Sequence, residues 1–248
     1  TWNEGGASLN LDPGQYTVIF QDVEGYTKPV DVPVTVNAGA LTTVSGADAT
    51  YTFVPPPAPV ITLAQSWRTH GEAGDFPITL NIGEGNATCE GRLDTRAGSN
   101  PKVVVTFDKP IKDLAANPAM AVVATAVGGA APVVGALEVA DNALTIPLTA
   151  SVNRTCVTLT INNVQGIDGS AGTDYKVKLT YVWADVNNDR ACSGTDLVDV
   201  KMNQNAFVPI NANKFWYDVD CDGFCSGPDL VECKKNQNAF LITACPLP

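Results

Sequence analysis

The last quarter of the chain writes one 33-residue unit twice, and that constrains the fold more than anything else in it. Asp185-Val186-Asn187-Asn188-Asp189-Arg190-Ala191-Cys192-Ser193-Gly194-Thr195-Asp196 returns as Asp218-Val219-Asp220-Cys221-Asp222-Gly223-Phe224-Cys225-Ser226-Gly227-Pro228-Asp229. The same offset relates Trp183 to Trp216, and Asn203-Gln204-Asn205-Ala206-Phe207 recurs word for word from Asn236 to Phe240. Self-similarity at a fixed period signals stacked copies of one supersecondary unit, each burying the face its neighbour leaves open.

Numbered from its first Asp, each copy places oxygen side chains at positions 1, 3, 5, 9 and 12. These are Asp185, Asn187, Asp189, Ser193 and Asp196, then Asp218, Asp220, Asp222, Ser226 and Asp229. This is the EF-hand spacing, with a backbone carbonyl expected at position 7, here Ala191 and Phe224. A tight loop turns alternate side chains inward, and position 12 returns from the first turn of the following helix. Six to eight oxygens around a hard cation suit Ca2+ better than Mg2+, so two calcium ions are expected. Position 9 acts directly or through a water. An acidic Asn/Asp turn would account for one such loop; two in register, each running into an apolar stripe, exceed it.

Leu197, Val198 and Val200, then Leu230, Val231 and Cys233, form the apolar stripes of two short helices. Isolated helices of this length are marginal in water, so the pair must pack together, and metal binding and folding are expected to be coupled. Loop two carries four Asp side chains against three in loop one, and is expected to bind the tighter.

These residues, about 183–242, resemble a type I dockerin, in which two F-hand calcium loops are each followed by a helix, with Asp in place of Glu at position 12. The resemblance implies a cohesin-like partner and a role in attaching proteins to scaffolds or cell surfaces. It also implies a partner surface at Gly194, Thr195, Lys201 and Met202 in one copy and at Gly227, Pro228, Lys234 and Lys235 in the other. The chain departs from the family in three ways. The cellulosomal Ser-Thr pair is missing, Arg190 stands where Gly is usual at position 6, and Cys192 and Cys225 replace the aliphatic residue at position 8.

Net charge −11 and a pI near 4.4 argue against a nucleic-acid partner or an anionic membrane surface. No apolar run approaches ~18 residues, so no segment reads as a membrane span. Seven cysteines with no zinc-type CxxC pair, beside millimolar-calcium modules, point to an extracellular or cell-surface protein. An odd count leaves one thiol free or paired with another chain. Cys192 and Cys225 share position 8 and are expected to bridge. Cys89 and Cys156 are the only cysteines of the preceding domain and are paired as an outer staple, with Cys156 out of phase with the core-facing Val157, Leu159 and Ile161. Cys233 reads as a core thiol; Cys221 and Cys245 remain as a candidate pair.

The rest of the chain is mainly β. Residues 1–54 read as a small β domain (Tyr16–Phe20, Val30–Val36, Leu41–Val44, Tyr51–Val54) that resembles β modules of bacterial surface proteins but lacks the strand usually preceding Gly5-Gly6. A segment from a neighbouring subunit could fill that edge, or the domain closes on itself. Pro55-Pro56-Pro57-Ala58-Pro59 is a stiff linker. Residues 60–182 carry eight short candidate strands and read as a β-sandwich, and 183–248 as the paired helical module. Within the sandwich, Ser66-Trp67-Arg68-Thr69-His70-Gly71 resembles a Thr-His-Gly-bearing module that precedes dockerin repeats. His70, the one histidine, reads as a hydrogen-bonded turn residue, and Glu72, Glu84, Glu90 and Glu138 as solvated carboxylates rather than a glycosidase pair.

The functional expectation is a non-enzymatic, secreted calcium protein that attaches to a cohesin-like partner. The alternative is a subunit of an extracellular filament or matrix, joined to copies of itself by strand complementation and calcium-domain contacts. A carbohydrate-binding or hydrolytic role ranks last, for want of an aromatic platform or an acid/base pair.

Overall fold

The computed structural model of the chain describes residues 8–45, 49–83, 86–93, 97–241 and 245. It divides into two compact units that meet inside the predicted linker, Thr1–Pro56 and Pro57–Pro248. In the first, β1 (Gly14–Val18) pairs antiparallel with β3 (Val32–Val36), and β2 (Tyr26–Thr27) with β4 (Thr52–Phe53). Leu41–Val44 forms no strand, and Gly5-Gly6 lies outside the described residues. Little apolar surface is enclosed: Val30 and Leu41 are 86% and 88% exposed.

The second unit is built on two sheets. One runs β10 (Val133–Val134), β12 (Ala143–Thr149), β8 (Lys102–Phe107), β5 (Ile61–Thr69), β6 (Asp75–Thr79), with β11 (Glu138–Ala140) also on β12. The other runs β7 (Thr88–Glu90), β14 (Thr173–Tyr181), β13 (Thr155–Val164), β9 (Ala121–Val127). Strand alternation explains the core, because every second side chain faces one side. Val103, Val105 and Phe107 on β8 and Leu144, Ile146 and Leu148 on β12 meet Val157, Leu159 and Ile161 on β13 and Val177, Leu179 and Tyr181 on β14. All eight candidate strands overlap an observed one. β5 runs on through Ser66–Thr69, and Thr88–Glu90 is a further strand outside the candidate set.

Two helices complete the unit, α1 (Gly194–Asn203) and α2 (Gly227–Asn236), each opened by a capping box from Ser193 with Asp196 and from Ser226 with Asp229. Four short strands bind the copies crosswise. β15 (Ala191–Cys192), in loop one, pairs with β18 (Ala239–Phe240), after α2. β17 (Phe224–Cys225), in loop two, pairs with β16 (Asn205–Pro209), after α1. Leu197 and Val200, with Leu230 and Cys233, turn inward, whereas Val198 and Val231 are exposed. The predicted stripes are therefore narrower by one residue each.

No boundary falls at 182/183. Ile78, Cys89, Leu93 and Val182 from the β region share one core with Val200, Phe215, Val219 and Cys233 from the repeat. The cysteine pairings also need correction. The disulfide joins Cys156 to Cys245, and Cys89, Cys192, Cys221, Cys225 and Cys233 are free and buried. Cys156 does face away from the main core, into a small cluster with Ala87 and Cys245. It cannot reach Cys89 because both are in register with Thr180 from opposite sides of β14. That is two strand spacings, about 10 Å, beyond disulfide reach. Cys192 and Cys225 miss each other because each loop strand pairs with the tail of the other copy. Each thiol donates instead to a helix carbonyl of the other copy, Cys192 to Cys233 O and Cys225 to Val200 O, both at 3.5 Å. Cys221 points at Leu93 O, 3.7 Å away.

Replacing Cys156 and Cys245 together by Ser is expected to cost about 2–4 kcal/mol, read from denaturant unfolding. Non-reducing peptide mapping should find this bridge alone, with the five free thiols alkylated only after unfolding.

Candidate metal centre

The two loops fold alike because their side chains bind their own backbone. In loop one, Asp185 Oδ1 and Oδ2 accept from the amides of Asp189 (3.2 Å) and Arg190 (2.7 Å), Asn187 Oδ1 from Asp189 N (2.9 Å), and Asp189 Oδ1 from Ala191 N (2.9 Å). In loop two, Asp218 accepts from Asp222 N (2.9 Å) and Gly223 N (2.8 Å), Asp220 from Asp222 N (3.1 Å), and Asp222 from Phe224 N (2.8 Å). Position 12 closes each loop. Asp196 accepts from Val186 N and Ser193 N at 3.0 and 2.8 Å, and Asp229 from Val219 N and Ser226 N, both at 2.7 Å. Tight winding puts positions 4 and 6 in the left-handed region: Asn188 at φ 61° and Arg190 at 70°, Cys221 at 58° and Gly223 at 97°. Arg190 thus takes the conformation a glycine would adopt freely, at a cost of order 1 kcal/mol.

The winding brings one carboxylate oxygen each from Asp218, Asp220 and Asp222 within 4.8 Å of one another. Among the described residues this is the one such group of three His, Cys, Asp or Glu side chains. In loop one the Asn187 amide takes the middle place. Ser193 and Ser226 lie at the helix starts, with the Ala191 and Phe224 carbonyls between.

The electrostatics are those of a site short of positive charge. Burial, then the charges of Asp218 and Asp220, pushes Asp229 up to about 7. Burial, then Asp196 and Asp189, pushes Asp185 up to about 6. Among the described residues no Lys or Arg forms an ion pair with Asp185, Asp196 or Asp229. An all-oxygen donor set, crowded enough to hold protons near neutrality, fits a hard divalent cation.

The β region reaches both loops, which sequence reasoning missed. His70 is hydrogen-bonded, but to the second loop and out of water: it is fully buried, and its Nδ1 lies 2.8 Å from Asp218 Oδ2. Arg92 Nη1 stands 3.1 Å from His70 Nε2. Glu90 is buried rather than solvated, and its two oxygens meet Arg92 Nε and Nη2, each at 2.8 Å. Ser66 also donates to Glu90. Burial alone would raise Glu90, but the charges of Arg92 and Arg68 override it and hold it at about 2. Burial, abetted by Arg92, holds His70 below the ordinary histidine range against the pull of Asp218. At loop one, Cys89 places its thiol against Asp185 and its amide on Asn188 Oδ1 at 2.7 Å. Two glycines allow this approach, since a Cβ on Gly71 would overlap Asp222 O and one on Gly91 would overlap Asp185 O. The signal was present along β5 and the residue after it, where Ser66, Arg68 and His70 occupy every second position in line with the core residue Ala64. Of the two N-glycosylation sequons, Asn86-Ala87-Thr88 and Asn153-Arg154-Thr155, the second has a half-buried asparagine whose amide donates to Asn236 Oδ1 at 2.9 Å. Asn86 is exposed.

All eight residues expected to meet a partner, Gly194, Thr195, Lys201, Met202, Gly227, Pro228, Lys234 and Lys235, are exposed. No protein-family model and no curated protein matches the chain.

Because Asp185 and Asp229 are raised above the unfolded value near 3.9, the folded metal-free chain holds more protons than the unfolded one between about pH 4 and 7. Their contribution to stability is therefore lost as pH rises through that window, and a bound cation restores it. Calcium should raise the melting temperature more at pH 7.5 than at pH 5, measured by calorimetry on ion-free and calcium-replete protein. An equal rise at both would contradict the assignment.

Proposed function

We propose that this is a non-catalytic, extracellular calcium-binding protein whose paired C-terminal loops, resembling a dockerin, attach it to a cohesin-like protein partner. One observation carries the reading: both loops repeat the same carboxylate-to-amide network, residue for residue at an offset of 33. A single acidic turn would have no reason to be duplicated with its helix and its cap. Calcium supplies the positive charge that Asp185, Asp189 and Asp196, and Asp218, Asp220, Asp222 and Asp229, otherwise lack. Asn187, Ser193 and Ser226, with the carbonyls of Ala191 and Phe224, complete the oxygen sets.

Attachment draws support from the surface of the helices. Val198 and Val231 are exposed on the same helices as the carried-over partner residues, among which Met202 is also exposed, and Phe207 is 94% exposed. Exposed apolar side chains commonly mark interaction sites where they are contiguous. The Cys156–Cys245 bridge accords with an oxidising compartment. Glu90 is locked between arginines, and burial pushes the Cys192 and Cys225 thiols up to about 12.

The filament reading keeps a specific support in the first unit, where β1 and β3 pair only with each other among the described strands and large apolar side chains stay exposed. An added strand would cover both. Disulfide cross-linking between subunits has no such support, since the free thiols are buried.

Titration calorimetry of the full chain is expected to give two calcium ions, with Asp189→Ala and Asp222→Ala each removing one. Calcium at about 100 times Kd should add about 2.7 kcal/mol per site. A chain that binds no calcium would end this reading. On size exclusion, a monomer with and without calcium favours attachment, and calcium-dependent higher species favour the filament.

A further inference from the structure

His70 lies far from loop two in sequence, yet it is the one side chain outside the repeat that closes on a position-1 aspartate through a short hydrogen bond among the described residues. The sense of each link is fixed. Arginine can only donate, so at 3.1 Å Arg92 Nη1 donates a hydrogen bond to His70 Nε2. Nδ1 then carries the ring's hydrogen and donates to Asp218 Oδ2 at 2.8 Å. Arg92 cannot drift, because Glu90 grips it twice and the carbonyls of Phe76 (2.8 Å) and Ser66 (3.1 Å) accept from its remaining N–H groups. The ring of His70 is held edge-on to Phe76 and Phe215, 5.5 and 6.1 Å between centroids. Asp218 therefore has one oxygen tied to Asp222 N and the other to Gly223 N and His70, all out of water.

Loop one supplies the comparison within the same molecule. Asp185 takes the equivalent backbone amides, but its neighbour from the β region is the thiol of Cys89, a weak donor. At the oxygen-bearing side-chain positions the loops differ in one carboxylate, and behind position 1 they differ in this outer contact.

We propose that His70, braced by Arg92 and Glu90, is a positioning residue for the cation site of loop two, presetting the Asp218 carboxylate as a ligand. This rests on the calcium reading above. Through the Thr-His-Gly segment the β region, rather than the loop alone, sets how tightly that site holds its ion. Groups that orient a metal ligand from behind typically change affinity 10- to 100-fold when removed.

The test is calcium titration of the full chain carrying Asp189→Ala, which leaves loop two alone to report. His70→Phe fills the space between the aromatic rings but removes the donor, and should weaken calcium at loop two by about tenfold or more. His70→Asn keeps an N–H close to the place of Nδ1 and should restore most of the affinity. The same substitutions in an Asp222→Ala chain should leave loop one unchanged, which also certifies that the variants fold. Unchanged binding at loop two in His70→Phe overturns the proposal. So does equal weakening of both loops, or an Asn variant as weak as the Phe one, since each would mean that His70 only packs. If the Asp189→Ala chain with His70 intact binds no calcium, the calcium reading itself fails, and that result is distinct from the others.

Discussion

Everything in the C-terminal half turns on carboxylates buried beside other carboxylates. Bringing several such charges together out of water is unfavourable unless a counter-charge or a dense set of donors meets them. The loops provide the donors, and the backbone is bent into left-handed positions to aim them. The cost of that geometry at Arg190 is modest beside that of an unpaired buried carboxylate. What the amides cannot supply is a full positive charge, which is why Asp185 and Asp229 hold protons far above the usual carboxylate range.

The β region is a participant in this arrangement and no mere spacer. β5 changes character along one face, from Ala64 in the sandwich core to Ser66 and Arg68, with His70 just beyond its end, at the seam with the repeat. The apolar core under the helices draws on both sides of that seam. Gly71 and Gly91 bring main chain against main chain where a methyl group would not fit. Short helices of ten residues each could hardly persist alone in water. Their stability comes from the shared core and from the crossed strands that tie each loop to the tail of the other copy.

How far the sequence could be read follows from the range of each interaction. The loop turns were legible because their Asp and Asn side chains lie within twelve consecutive residues and the spacing itself encodes the turn. The core strands were legible from alternation, as in Val103, Val105 and Phe107. The proline run marked the division between the two units. What escaped was whatever depends on distant residues meeting. Cys156 was correctly turned away from the core, but its partner lay 89 residues off, and only the sheet order shows that Thr180 stands between it and Cys89. His70 looked like a local turn residue and Glu90 like a surface one because their partners belong to other elements, and a lone histidine carries no spacing to read. Val198 and Val231 were assigned inward because a stripe read from sequence has no sharp edge.

The covalent bridge has a mechanical corollary. Cys156 sits on β13, inside the second sheet, and Cys245 lies just past α2 and β18. Tension applied to the polypeptide beyond Cys245 is transmitted through the sulfur–sulfur bond into β13, so the segment from 157 to 244, with both loops and both helices, is shielded from it. A chain loaded from that end would strain the sandwich before it disturbed either carboxylate-lined loop.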